Sequence, residues 1–207
     1  GESTYFLSSN RNKRSLTLNL KEERGREVLW RLLERADVLL ENFRPQTLER
    51  LGFGVAEVRT RLPRLVYCSI SGFGHTGPDS ALPGYDLLIQ GESGLMSLTG
   101  QPEGPPQKLG VPIADLTTGM AACQAILAAL LHRERGGAGQ HLDLAMLDVA
   151  ASLLSFQASA YFATGVVPPR HGNAHPSVAP YAAFPSADGP LLIAVGNDVL
   201  FGRLCTA

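Results

Sequence analysis

Cysteine is scarce in this chain: three residues, Cys68, Cys123 and Cys205, with no close spacing. They offer neither a disulfide framework nor a metal motif, and so point to a reducing, cytoplasmic compartment. Two lie inside apolar segments and read as small buried hydrophobes. Charge of one sign is lacking as well. Eighteen Lys and Arg against 19 Asp and Glu leave a net charge of −1, which gives no footing for nucleic acid or another polyanion. The basic clusters Arg11–Arg14 and Arg24–Arg35 do not change this, because the second alternates with acids as a solvated helix face does. No apolar run looks long enough to span a membrane, no secretory leader is visible, and there is no internal repeat or low-complexity tract. Both ends read as cuts, so an internal fragment of a longer polypeptide is expected.

What is present is an alternation of strand-like and helix-like segments. Ser15–Leu20 alternates like a strand, and Lys21–Arg35 follows as an amphipathic helix. Val38–Leu40 and Leu65–Ile70 read as short buried strands around two short helices, Pro45–Leu51 and Val55–Arg61. A Gly- and Pro-rich loop, Ser71–Gly84, leads into a helical segment Tyr85–Ser97, broken near Gly91 and Gly94. Farther on, His141–Leu144 reads as a strand and Ala145–Thr164 as one long helix. This order predicts an α/β fold, a Rossmann-like parallel sheet flanked by helices, over residues 1–167. Beyond Val167 the pattern changes to a Pro-rich loop and a hairpin, Tyr181–Phe184 and Leu191–Val195 about Ala187-Asp188-Gly189. Residues 168–207 therefore read as a linker and the start of a second, smaller domain.

Asp115 carries the most information. It closes the apolar run Leu109–Ala114, which reads as a buried strand, and a helix over Leu116–Arg135 follows, stopped by Gly136-Gly137. A carboxylate in that position can cap the helix by accepting backbone N–H bonds or attack a carbonyl as a nucleophile. Ligands of parallel sheets collect at the carboxyl ends of the strands. Asn42, Gly72 and Asp115 all follow strand-like runs, so one cleft can hold all three.

Several segments, in order, resemble the family III CoA-transferases (the CaiB/BaiF family), which include formyl-CoA transferase, carnitine CoA-transferase and α-methylacyl-CoA racemase. They are Asn12-Lys13-Arg14-Ser15, Leu18-Asn19-Leu20-Lys21, Ala36 to Pro45, Leu51-Gly52-Phe53 and Ser69 to Gly74. Gly77-Pro78, Gly84-Tyr85-Asp86, Gly94 to Gly100, Asp115 to Gly119 and Gly136 to Gln140 complete the set. Singly each is weak; together they cover most of the chain. The resemblance implies that Asp115 is the nucleophile, passing through a mixed anhydride to an aspartyl-CoA thioester. It implies CoA contacts at Leu18, Lys21, Asn42, Phe43, Arg50, Gly72 and Tyr85, and an interlocked homodimer. No metal and no cofactor beyond CoA or acyl-CoA as substrate is implied.

Two departures refine this expectation. Racemases of the family resemble Gly-His-Asp where this chain has Gly84-Tyr85-Asp86, and a tyrosine is a poor base near neutral pH. Tyr85 then lines the acyl pocket, and CoA transfer is favoured. A lysine of formyl-CoA transferase falls on Pro83 here, which weakens the analogy to formyl and oxalate enzymes. The segment Gly172-Asn173-Ala174-His175-Pro176-Ser177 lacks that enzyme's glycine run. Its His175 is a candidate for hydrogen bonding the acceptor, against the plainer reading of an ordered linker turn; His75 reads as a surface-loop histidine. The expected function is CoA transfer from an acyl-CoA, with succinyl-CoA as one donor, to a carboxylic acid resembling the dicarboxylate acceptors. An acyl-CoA racemase or epimerase, and a CoA-binding subunit without turnover, remain the alternatives.

Overall fold

Three short strands, β1 (Val38–Glu41), β2 (Val66–Ser71) and β3 (His141–Ala145), pair in parallel in the order β1-β2-β3. The structure is a computed structural model that describes residues 3–207. Parallel neighbours need long crossovers, and helices supply them. Between β1 and β2 run α3 (Thr47–Arg50) and α4 (Val55–Arg61); between β2 and β3 run α5 (Asp86–Glu92), α6 (Leu95–Leu98) and α7 (Ile113–Glu134). Before the sheet come α1 (Thr4–Ser9) and α2 (Glu23–Leu33), and after it α8 (Met146–Ser152) and α9 (Ser155–Thr164). The registers Leu39↔Tyr67 and Tyr67↔His141 place alternate residues of all three strands on common faces.

Each face is covered by its own apolar cluster. On one, Leu33, Leu48, Phe53, Val58 and Leu65 pack around Tyr67, with the Trp30 ring tilted against Phe53 at a centroid distance of 4.9 Å. The Tyr67 hydroxyl donates to the Phe53 carbonyl at 3.0 Å, which satisfies the one polar atom this aromatic takes inside. On the other face Ile89, Leu95, Ala114, Met146 and Ala150 pack against Ile70. Helix α7 buries the small residues Ala114, Thr118, Ala122 and Ala129, so its backbone comes close to the sheet. At its far end Arg133 donates to Asp37 at 2.8 Å and to the Arg64 carbonyl at 3.3 Å, tying the starts of β1 and β2 together.

The structure corrects several expectations. Residues Ser15–Leu20 form no strand; the Asn19 side chain accepts from Lys21 N–H in a local turn, a bond that competes with sheet pairing. Leu109–Ala114 is no strand either, because the Leu109 N–H is taken by the Gln90 side chain and Ile113 already begins α7. The helix expected over Ala145–Thr164 is two, α8 and α9, separated at Leu153 and Leu154, with Ser155 at a φ of +50°. Only Cys68 is buried; Cys123 and Cys205 are exposed. Helix α7 is long and apolar enough, by length and composition, to cross a membrane, contrary to the reading of the sequence. The core helix of a globular protein meets the same criteria, and α7 lies against β2, β3 and α8.

A separate antiparallel pair, β4 (Tyr181–Ser186) and β5 (Gly189–Ala194), forms the expected hairpin, followed by α10 (Asp198–Thr206). The Asn197 side chain caps α10 by accepting from Leu200 N–H at 3.0 Å. The loop before the hairpin is anchored by Arg170, whose guanidinium donates to the carbonyls of Gln101 and Gly104.

The loop after β2 is closed by a backbone-to-backbone contact. A Cβ on Gly72 would sit 2.5 Å from the Gly84 Cα, and one on Gly84 would overlap Gly72. We predict that Gly84→Ala lowers unfolding stability by about 2–3 kcal/mol, the cost of overpacking a site that cannot give. Gly110→Ala, where nothing lies within 4 Å, is the control and is expected to be neutral or slightly stabilising. Equal urea midpoints for the two variants would contradict the contact.

Candidate functional site

At the carboxyl ends of β1 and β2 the sheet opens into a cleft of about 440 Å³, lined by Leu40, Asn42, Ile70, Asp115, Gly119 and Met146. The main chain explains its floor. Parallel strands present their carbonyl ends here, and the Asn42 side-chain amide donates to the Ile70 carbonyl at 2.7 Å, bridging β1 and β2. Gly119, one turn beyond Asp115, leaves open space where a Cβ would stand. Open space therefore stands beside the carboxylate.

Asp115 is the third residue of α7, in its first turn, and it is not the cap. The cap is supplied from outside the helix. Asp86, at the start of α5, accepts from the Ala114 N–H through Oδ1 at 2.9 Å, satisfying one of the orphan donors of a helix start. Its Oδ2 accepts from the Gln90 amide at 2.7 Å. Among the described residues the Asp115 carboxyl forms no hydrogen bond and remains exposed at the cleft. Burial pushes its pKa above the ordinary carboxylate value, and the charge on Asp86 pushes it the same way. A helix N-terminus by itself favours the ionised form; these two effects oppose it.

Of the residues named from sequence, Asn42 and Asp115 share the cleft. Gly72 stands just behind it, its carbonyl accepting from Leu147 N–H at 3.0 Å. Phe43 is exposed beside Asn42, and Arg50 is exposed at the end of α3 with one long contact to Thr47 Oγ1 at 3.5 Å. Tyr85 directly precedes α5 and is 67% exposed. Leu18 is half-buried and Lys21 exposed in the turn before α2. His175 lies between Phe156 and Tyr181, and its Nδ1 accepts from Ser177 N–H at 3.2 Å. None of these other residues lines the Asp115 cleft.

Reading the sequence missed the polar groups that hold the site. Asp86 and Gln90 are one helical turn apart on α5, a spacing that places two side chains on one face, and that spacing is the signal that could have found them. Glu41 is buried at the end of β1, where Oε2 accepts from Phe43 N–H at 2.9 Å and shapes the loop carrying Asn42 and Phe43. His75 is not a freely solvated loop residue: its backbone N–H donates to Asp143 at 3.0 Å, and its Nε2 is buried 3.9 Å from Glu41 Oε1. His141 packs nearby with Nε2 3.1 Å from Ser69 Oγ, and burial lowers its pKa below the usual histidine value.

Across residues 1–207 the chain matches the sequence model of the family described as CoA-transferase family III. It is 48% identical over 201 residues to the succinate–glutarate CoA-transferase of Agrobacterium fabrum, covering 97% of this chain and 50% of that protein. It is 44% identical over 205 residues to the acetyl-CoA:oxalate CoA-transferase of Acetobacter aceti, covering 99% of this chain and 53% of that protein. A crystal structure of a CaiB/BaiF family protein from Brucella suis superposes with a TM-score of 0.84 at 47% identity, over 94% of this chain and 51% of that one. The chain thus spans about half the length of the curated relatives it matches.

The raised pKa of Asp115 has a consequence for stability. The folded chain holds this proton more tightly than the unfolded chain does. The contribution to stability is therefore full below the ordinary carboxylate pKa and is lost as pH rises through the folded-state value. We predict that Asp115→Asn is more stable than the parent at pH 7 and that the advantage disappears near pH 3, as read by urea unfolding at both values. A pH-independent difference would contradict the electrostatic account.

Proposed function

The chain belongs to CoA-transferase family III, and we propose that it carries the nucleophile of an enzyme moving CoA from an acyl-CoA, such as succinyl-CoA, to a carboxylic acid. One observation carries this reading: Asp115 presents an unbonded carboxylate on the first turn of α7, at the rim of the cleft that Asn42 also lines. In this reading the Asp115 carboxylate attacks the thioester carbonyl and expels CoA thiolate, leaving an acyl-aspartyl anhydride. The thiolate attacks the aspartyl carbonyl, giving an aspartyl-CoA thioester and the free acid. The acceptor carboxylate then attacks that thioester, and the released thiolate returns to the acceptor's carbonyl, restoring Asp115. The exchange is redox-neutral and needs no group beyond CoA.

Partial desolvation and the nearby negative charge make this carboxylate a better nucleophile than one in water. The CoA moiety is assigned to Asn42, Phe43, Arg50, Leu18, Lys21, Gly72 and Tyr85. The exposed Phe43 ring and Arg50 guanidinium suit an aromatic base and a phosphate. Tyr85 and His175 are assigned to the substrate acid. Relatives named for glutarate and oxalate support a dicarboxylate as acceptor. The active form in this reading is an interlocked homodimer, supported by the apolar side chains of Met120, Leu127 and Leu131 that α7 leaves exposed. Its compartment is the cytoplasm, supported by three free thiols. The division near Val167 separates the nucleophile's domain from a smaller one that begins with the hairpin.

The test is covalent trapping on the intact gene product. Incubation with succinyl-CoA followed by hydroxylamine or borohydride is expected to mark Asp115 in peptide mass spectra. Asp115→Ala is expected to lose the mark and at least about 10³-fold in kcat, as loss of a nucleophile does. No mark across a panel of acyl-CoAs, with solvent deuterium entering the α-carbon, would replace this reading with racemisation.

A further inference from the structure

Gln90 is fully buried on α5 and belongs to neither apolar cluster. A buried amide persists only where its polar atoms are paired, and here both ends are used. Oε1 accepts from the Leu109 N–H at 2.8 Å, and Nε2 donates to Asp86 Oδ2 at 2.7 Å. Asp86 Oδ1 in turn accepts from the Ala114 N–H at 2.9 Å, one residue before Asp115. A continuous chain of hydrogen bonds thus runs from the loop ahead of α7, through α5, to the first turn of α7. We propose that Gln90 is a positioning residue for the transfer reaction, fixing the Asp86 carboxylate as the acceptor that caps α7 and so aiming Asp115 into the cleft. This rests on Asp115 being the nucleophile.

The direction of these bonds matters. An amide can donate to Asp86 and accept from Leu109 at once; a carboxylate at the same place cannot donate unless it carries a proton. The charged groups around it are few. Asp86 and the exposed Glu92 lie on α5, Asp115 on α7, and the exposed Asp148 is the one ionisable group of α8. Lys108, on the loop ahead of α7, donates its Nζ to the Leu109 carbonyl at 3.1 Å, and α6 (Leu95–Leu98) contributes no ionisable residue. A carboxyl replacing the amide therefore meets Asp86 directly. While the two share one proton, the hydrogen-bond chain is complete; when that proton leaves, two carboxylates face each other and the cap of α7 is pushed away.

The test is the pH dependence of kcat in Gln90→Glu, measured on the intact gene product with succinyl-CoA as donor and glutarate as acceptor. The expected result is near-parental kcat on the acid side and an added alkaline limb, absent from the parent, along which kcat falls about tenfold or more, equivalent to about 1.4 kcal/mol in the barrier. Gln90→Leu removes both bonds at similar volume. It is expected to lower kcat by a similar factor at every pH, with the KM for succinyl-CoA changed less than about twofold. It decides the matter if Gln90→Glu does not fold. An unchanged pH profile in folded Gln90→Glu, or an unchanged kcat in Gln90→Leu, overturns the positioning role. These failures are distinct from failure of the transferase reading, which shows as the absence of any trapped Asp115 adduct in the parent itself.

Discussion

The hydrogen bond from Ala114 N–H to the Asp86 carboxylate is the contact on which the rest of the site depends. Every helix begins with N–H groups that have no partner within it, and a polar side chain at or next to the first turn usually supplies one. Asp115 is the acid nearest to hand. Had it served as the cap, its oxygens would be committed to the backbone and turned along the helix axis. Because Asp86 takes that work from a different helix, Asp115 keeps its carboxylate free at the edge of the cleft.

This arrangement requires α5 and α7 to be held close, and small residues make that possible. Ala114, Thr118, Ala122 and Ala129 form the buried stripe of α7, and Gly72 meets Gly84 with no room for a side chain between them. The second contact brings the start of α5 back against the end of β2, so that Asp86 reaches α7. Bulk lies elsewhere. The aromatic and branched residues Phe53, Val58, Leu65 and Tyr67 fill the opposite face of the sheet, where no cleft has to be kept open.

The same proximity sets the electrostatics. Asp86 stabilises α7 through its hydrogen bond and at the same time disfavours the charge on Asp115. A carboxylate held against both burial and a like charge is a cost to the fold, and in the proposed transfer reaction it is an advantage to the nucleophile. Behind it, Glu41, His75, Asp143, His141 and Ser69 form a polar layer on the far face of the strands, which ties the loop after β2 to the ends of β1 and β3.

Much of this was legible in the residues. The alternation of short apolar runs with helical periodicity gave β1, β2 and β3, the α/β class and the later hairpin, because side-chain period and burial are local properties of a segment. Asn42 and Asp115, each placed just after a strand-like run, do share one cleft. The readings that failed depended on partners distant in sequence. Ser15–Leu20 has a strand's pattern but no strand beside it, and Leu109–Ala114 has an apolar strand's composition but gives its first N–H to Gln90. Local pattern thus determined the three buried strands, and the ordered motifs carried the resemblance to the family. Only the tertiary structure decided that Asp86 and not Asp115 caps α7, because a helix start accepts any acceptor that reaches it, and reach is settled by packing between helices 28 positions apart in the chain.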